Sequence, residues 1–191
     1  MMPEDMYLFG GDKPWRAEGW IASDDVVRGG KSRGYLDSVA EGDSVRFHGE
    51  LDISALGGAG FASRRTPDAD QWDLSAFGGL RLSVAEGDGK KYTLILKDEI
   101  LPRRADGREQ SSVSWEYDFV GGCREASEVD VRWEEFVPTY RGLRKPDAKP
   151  LDVASIKRIS IMMRSFFGEQ EGPFSILLRH IAAVKFTGET A

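Results

Sequence analysis

Cysteine is nearly missing from this chain. Cys123 stands alone among 191 residues, so no internal disulfide can close and no thiolate cluster can hold zinc. Such usage fits a reducing compartment, and Cys123 itself reads as a small hydrophobe or an incidental thiol. Histidine is scarce too: His48 and His180 are the only imidazoles, and neither has paired ligands at zinc spacing. His48 falls on the polar side of an alternating segment and is expected in solvent. His180, beside Arg179 in an apolar stretch, is expected to pack. No window approaches the roughly 18 apolar residues of a membrane-spanning helix, and nothing resembles a secretory signal. No Gly-x-Ser-x-Gly elbow carries a serine nucleophile. Helical periodicity is almost absent, its best stretch being a single turn over 152–157 that Asp152 is placed to cap.

Positive charge is also in deficit. The 26 Lys and Arg against 32 Asp and Glu leave a net charge of −6, which disfavours a nucleic-acid or anionic-membrane surface. Three short strings imitate nucleotide motifs and fail on inspection. Gly30-Lys31-Ser32 ends like a phosphate-binding loop but has Asp25 where that loop requires glycine, and Gly58-Ala59-Gly60 and Gly87-Asp88-Gly89 lack the surrounding βαβ unit. The adjacent carboxylates Asp24-Asp25 and Asp98-Glu99 offer oxygens of the kind calcium takes, yet turn capping is the expected role. No cofactor, no metal ligand and no catalytic residue is assigned.

What the chain has in quantity is glycine, 22 residues including doublets at 10–11, 29–30, 57–58, 78–79 and 121–122. Their uneven spacing argues against a repeat protein. Between them run short alternating segments. In 45–53 the odd positions are apolar apart from Gly49, and the even ones are charged or His48, the pattern of a strand with one buried face. Leu80-Arg81-Leu82-Ser83-Val84 and Tyr92-Thr93-Leu94-Ile95-Leu96 repeat it, and Asp88-Gly89 between them predicts a hairpin. Leu80, Leu82, Val84, Tyr92, Leu94 and Leu96 are then expected on one inner face. Further strands are predicted around Val113–Phe119, Val129–Trp133, Ile159–Met163 and Phe174–Phe186. Many short strands with glycine turns predict an all-β fold, a β-sandwich or jelly roll, and 191 residues suffice for one such domain.

The longest irregular pieces, 98–110 and 139–150, are rich in Arg, Lys, Pro and Asp, and loops on a rigid scaffold are where binding residues concentrate. Arg64-Arg65, Arg103-Arg104 and Arg141 to Lys145 are local basic patches suited to carboxylate partners. Of the five tryptophans, Trp115 and Trp133 fall on the apolar period, whereas Trp72, in a polar turn, is expected to be exposed. A ligand or partner face is accordingly predicted from Arg65, Lys97, Glu99, Trp115, Glu116, Tyr117 and Arg141. One reading is a protein-docking module. The alternative is a small-molecule or glycan pocket on a concave sheet face, compatible even with a cofactor-free enzyme acting by positioning.

Seven strings occur in a fixed order: Asp24 to Gly30 (DDVVRGG), Phe47 to Leu51 (FHGEL), Gly57 to Thr66 (GGAGFASRRT), Asp73 to Leu82 (DLSAFGGLRL), Gly87 to Tyr92 (GDGKKY), Phe136 to Gly142 (FVPTYRG) and Gly172 to Phe174 (GPF). In them the chain resembles the complex I intermediate-associated protein 30 family over roughly 15–186. The resemblance implies a galactose-binding-like β-sandwich jelly roll over 15–187, with an extension at 1–14 and a tail at 188–191. It also implies a non-catalytic partner role toward a complex I assembly intermediate. The family role implies a mitochondrial location, while the acidic N-terminal stretch, unlike a transit peptide, implies a cytosolic one.

Overall fold

The structure, a computed structural model, describes residues 5–122 and 124–187. The expectations for Cys123 and for the tail 188–191 lie outside the described residues. Among the described residues thirteen strands stack in two antiparallel sheets, and the helical segments are single 3-10 turns. One sheet is built from β3 (Arg33–Val39), β4 (Ser44–Leu51), β13 (Gly172–Val184), β6 (Gly79–Glu86) and β9 (Ser127–Arg132), in that order. Along the edge of β13 that carries β4, β1 (Asp5–Gly10) pairs with its distal half. The stretch 1–14, set outside the domain on sequence grounds, thus contributes a strand whose Leu8 is buried in the core.

The second sheet has the order β11 (Leu143–Arg144), β10 (Val137–Tyr140), β8 (Ser114–Val120), β7 (Lys91–Lys97), β12 (Arg158–Arg164), β5 (Phe61–Arg65) and β2 (Ile21–Ala22). Period-two alternation sends Leu94, Leu96, Ile159, Ile161 and Met163 inward from this sheet. From the other, Val45, Phe47, Leu80, Leu82, Val84 and Ile176 meet them. Each such burial stabilises by about 1.5–3 kcal/mol before entropy is counted.

The expected hairpin around Asp88-Gly89 does not form. β6 pairs with β13 and β9, while β7 pairs with β8 and β12, so the connection crosses from one sheet to the other. The inner-face assignment is unaffected, because both strands face the same core and all six apolar side chains are fully buried. Gly89 does take the positive φ its turn requires. Asp88 secures the crossover. Its Oδ2 accepts the Tyr92 hydroxyl at 3.0 Å and the Ser175 N–H at 2.9 Å, tying β7 to β13 across the layers.

Long β13 shows how the chain reconciles pattern with geometry. Leu178 and Ile181 are three apart yet both point inward, which a register shift between Leu178 and His180 makes possible. Trp72 is also not the exposed aromatic it was expected to be. It is half-buried, its ring 5.7 Å from Phe9 in a cluster with Trp15 and Trp20, because backbone pairing with Ile156 draws the turn onto the sheet end.

Candidate functional site

The outward residues of the seven-stranded sheet are not an ordinary solvated face. Register places Arg158 opposite Lys97, and Ser160 opposite both Ile95 and Arg65. Glu116 lies opposite Ile95 on the other side, so Arg65, Lys97, Glu116 and Arg158 share this face, with Arg164 and Asp118 nearer its far end. Arg65 and Arg158 are 6% exposed, a rare state for arginine that demands partners.

Two ionic groups occupy the face, and the first of them answers Arg65 and Arg158. In the first, Asp68 Oδ1 accepts from Arg65 Nη1 at 2.8 Å and from Arg158 Nη2 at 2.6 Å. Glu109, carried in by the 98–113 loop, accepts from Arg65 Nη2 at 2.8 Å and lies 3.5 Å from Arg158 Nη1. Donation from Arg158 is the main cause holding the Asp68 carboxyl below the usual carboxylate range, with the charge of Arg65 assisting. Among the described residues Lys97 has no carboxylate at bonding distance. Its Nζ donates to the carbonyl and hydroxyl of Ser112, whose hydroxyl in turn donates to the Glu99 carbonyl. Burial pushes the Lys97 ammonium below its ordinary value, and the charges of Arg158 and Arg65 push the same way.

In the second group, Arg164 Nη2 lies 3.0 Å from both Glu116 Oε2 and Asp118 Oδ1. Thr139 and Thr93 donate hydroxyls to those same two carboxylates. Phe166 covers the Arg164 guanidinium, its ring centre 4.9 Å away, and Lys91 lies 4.7 Å from the same ring. The nearly buried Ile95 and Ser160 separate the groups. Among the described residues two buried donors remain without partners, the Nε of Arg158 and the Nε of Arg164.

Of the residues proposed from sequence, the structure gathers Arg65, Lys97 and Glu116 on this face. Trp115 and Tyr117 turn the other way. Trp115 belongs to the core, and Tyr117 packs 6.1 Å from Phe136. Glu99 points an exposed side chain outward from the loop, and Arg141 sits on the exposed β10–β11 turn over Tyr140. Arg158, Arg164, Asp68 and Glu109 were not singled out from sequence. A signal existed for the first two, the polar alternates of the apolar series Ile159, Ile161 and Met163. None existed for Glu109, whose place depends on how the loop folds back.

The sequence profile named for complex I intermediate-associated protein 30 matches residues 8–178. The chain belongs to that family. A relative, the uncharacterized protein C9E9.15 of Schizosaccharomyces pombe, is 40% identical over 184 residues, covering 94% of this chain and 84% of its own length. Among solved structures, the family 11 carbohydrate-binding module of the cellulase Lic26A-Cel5E from Clostridium thermocellum superimposes with a TM-score of 0.63 at 12% identity, covering 98% of each chain. The same type of module in complex with a β-1,3-1,4-mixed-linked tetrasaccharide gives 0.61 at 13% identity, covering 95% of each chain. At these identities the likeness is one of fold, that of a jelly-roll β-sandwich.

Proposed function

We propose that this chain is an interaction module of the complex I intermediate-associated protein 30 family. Its docking surface is the outer face of the seven-stranded sheet, and its partner is a protein assembly intermediate of respiratory complex I. The observation that carries this reading is the charge lattice in which the buried Arg65 and Arg158 are met by the half-exposed carboxylates of Asp68 and Glu109. Charged side chains held this firmly on an outward sheet face raise stability little, because their desolvation offsets their attraction. A recognition role explains them better, since fixed guanidinium forks give orientation and specificity to a carboxylate partner. The family description supplies the partner class, and a mitochondrial location follows from it.

The fold likeness to carbohydrate-binding modules favours a second reading, a glycan ligand on the same sheet. Against it stands the direction of Trp115 and Tyr117, which face the interior and so offer no ring to a sugar on the outer face.

Affinity capture of the tagged full chain from respiring cells, under native conditions, tests the first reading. Complex I subunits are expected in the eluate. Val120→Asp, on the outer face of the seven-stranded sheet, should lose them, and Tyr35→Asp, on the outer face of the other sheet, should retain them; both side chains are exposed, so neither change disturbs the core. Equal recovery with both variants, or recovery of no partner at all, overturns the proposal.

A further inference from the structure

We propose that Arg65 and Arg158 form a socket for the carboxylate of an acidic peptide segment, and that Glu109 is its built-in competitor. This rests on reading the sheet face as a docking surface and specifies the chemistry it recognises. The cations are part of the framework: Arg65 lies on β5, Arg158 on the neighbouring β12, and their side chains are 7% exposed. The carboxylates that answer them are not. Asp68 and Glu109 lie on loops, with side chains 48% and 47% exposed.

Glu109 also meets Arg103, at 3.8 Å, so one loop carboxylate serves three guanidiniums. Lys97, directly opposite Arg158, adds a further positive charge with no acid at bonding distance among the described residues. In a chain of net charge −6, this end of the sheet holds more cations than the acids touching them. Beside it lies a cavity of about 50 Å³, which Arg158, Glu109, Ser112, Ile100 and Leu101 help to line. Arg158 is nine-tenths buried, lines this cavity and has a partnerless Nε. Such a site is short of acceptors.

The resident occupant shows which acceptor fits. Glu109 is a glutamate side chain presented by an irregular peptide strap, not a free anion. The strap's side-chain bonds from Arg103 and Gln110 are local, Arg103 to the Gly107 carbonyl and Gln110 to the Pro102 carbonyl. It can therefore lift without breaking a strand pairing. An incoming glutamate or aspartate then takes over the Arg65 and Arg158 donors, and the apolar walls of Ile100 and Leu101 receive the flanking chain. Tethering gives Glu109 an effective concentration in the millimolar range, so it excludes weak acidic segments and yields to a partner with additional contacts.

The probe is a fluorescein-labelled peptide copying residues 104–112, Arg-Ala-Asp-Gly-Arg-Glu-Gln-Ser-Ser, titrated by anisotropy into the full chain. Wild type is expected to bind it weakly and Glu109→Gln about tenfold more tightly, the scale of one charge-assisted hydrogen bond. A peptide with Gln in place of its Glu should lose that gain. Arg158→Lys, which keeps the charge but not the fork, should lose it too, and the Arg158 Nε–H resonance should shift on titration of the Glu peptide only. Equal binding of the Glu and Gln peptides by Glu109→Gln, or no tightening in that variant, overturns the socket. If acetate competes as well as the peptide at equal concentration, the site takes free anions and the peptide assignment falls. If these titrations fail while Val120→Asp still abolishes partner capture, the docking face stands without the socket.

Discussion

The Asp25 carboxylate accepts the Ser32 N–H through Oδ1 at 3.0 Å and the Phe61 N–H through Oδ2 at 3.1 Å. One side chain, fully buried, thus joins the loop entering β3 to the first residue of β5, which belongs to the opposite sheet. Asp24 repeats the connection one step along, accepting from Gly34 on β3 and Ser63 on β5. Two consecutive carboxylates therefore close one long side of the sandwich, using backbone donors that edge strands would otherwise leave unpaired.

Asp25→Asn should be strongly destabilising. The amide oxygen can keep one of the two N–H donors, while the new NH₂ group faces the other donor with nothing to accept. Hydrogen bonds to a charged acceptor contribute about 1.5–3 kcal/mol each, so a loss of about 2–4 kcal/mol is expected in urea unfolding. Gly30→Ala should fail for a related reason, because its Cβ would lie 2.3 Å from Asp25 Cγ. A loss below about 1 kcal/mol for Asp25→Asn contradicts the clamp.

Acid should weaken the β1–β13 pairing through His180. The ring meets Tyr7 edge-on at 5.0 Å, and burial holds its pKa below the ordinary 6.5, the charges of Arg81 and Arg179 adding to burial while Glu128 and Asp5 oppose it. The neutral ring is the form the folded state favours. Its contribution is present above 6.5 and declines as pH falls through the lowered folded value. The urea midpoint of the wild type should therefore drop more between pH 7.5 and pH 5 than that of His180→Gln. Parallel curves for the two proteins would remove His180 from the account.

Alkali acts through Tyr92, which lies in the core. Burial is the main cause raising this phenol far above the ordinary 10, and the neighbouring Asp88 carboxylate raises it further. Because the folded-state pKa exceeds the unfolded one, the stabilisation is complete below pH 10 and is lost as pH climbs above it. Wild type should lose stability between pH 9 and pH 11. Tyr92→Phe, lower by about 1 kcal/mol at neutral pH for its missing bond to Asp88, should lose less over that interval. The difference between the two unfolding midpoints isolates Tyr92 from the lysines titrating in the same range.

How much of this was legible beforehand depends on the range of the interaction. Alternation is local, so the inward sets of β4, β6, β7, β8 and β12 could be read from Val45, Leu80, Leu94, Phe119 and Ile159 and their neighbours two residues away. Pairing is not local. Nothing between Val84 and Tyr92 distinguishes a hairpin from a crossover of the same length, because a turn that reverses the chain within one sheet and a turn that passes it to the next can both use Asp88 and Gly89. The strands β1, β3 and β5 were hidden by glycines at positions 10, 34 and 60, where an added Cβ would lie 2.0 Å from the Arg179 carbonyl oxygen, 3.0 Å from Ala62 Cβ and 2.6 Å from the Asp52 carbonyl oxygen. On the candidate site, Arg65, Lys97 and Glu116 were visible as polar alternates or basic residues. Asp68 and Glu109 were not, since their carboxylates reach the arginines only through the path of two loops.

Phe167 offers a test of strain at the edge of the charged face. It is 96% exposed, and it and Phe166 both have positive φ, +61° and +49°, a region that costs an ordinary L-residue about 1–2 kcal/mol. Phe166 is compensated, since its ring lies against Arg164 and Lys91. Phe167 has no ring contact of that kind, so packing does not repay its backbone. Asn tolerates the left-handed region better than Phe, and Phe167→Asn should raise stability by about 0.5–1 kcal/mol in urea unfolding. A destabilised Phe167→Asn would show that the left-handed backbone at this position is not a source of strain.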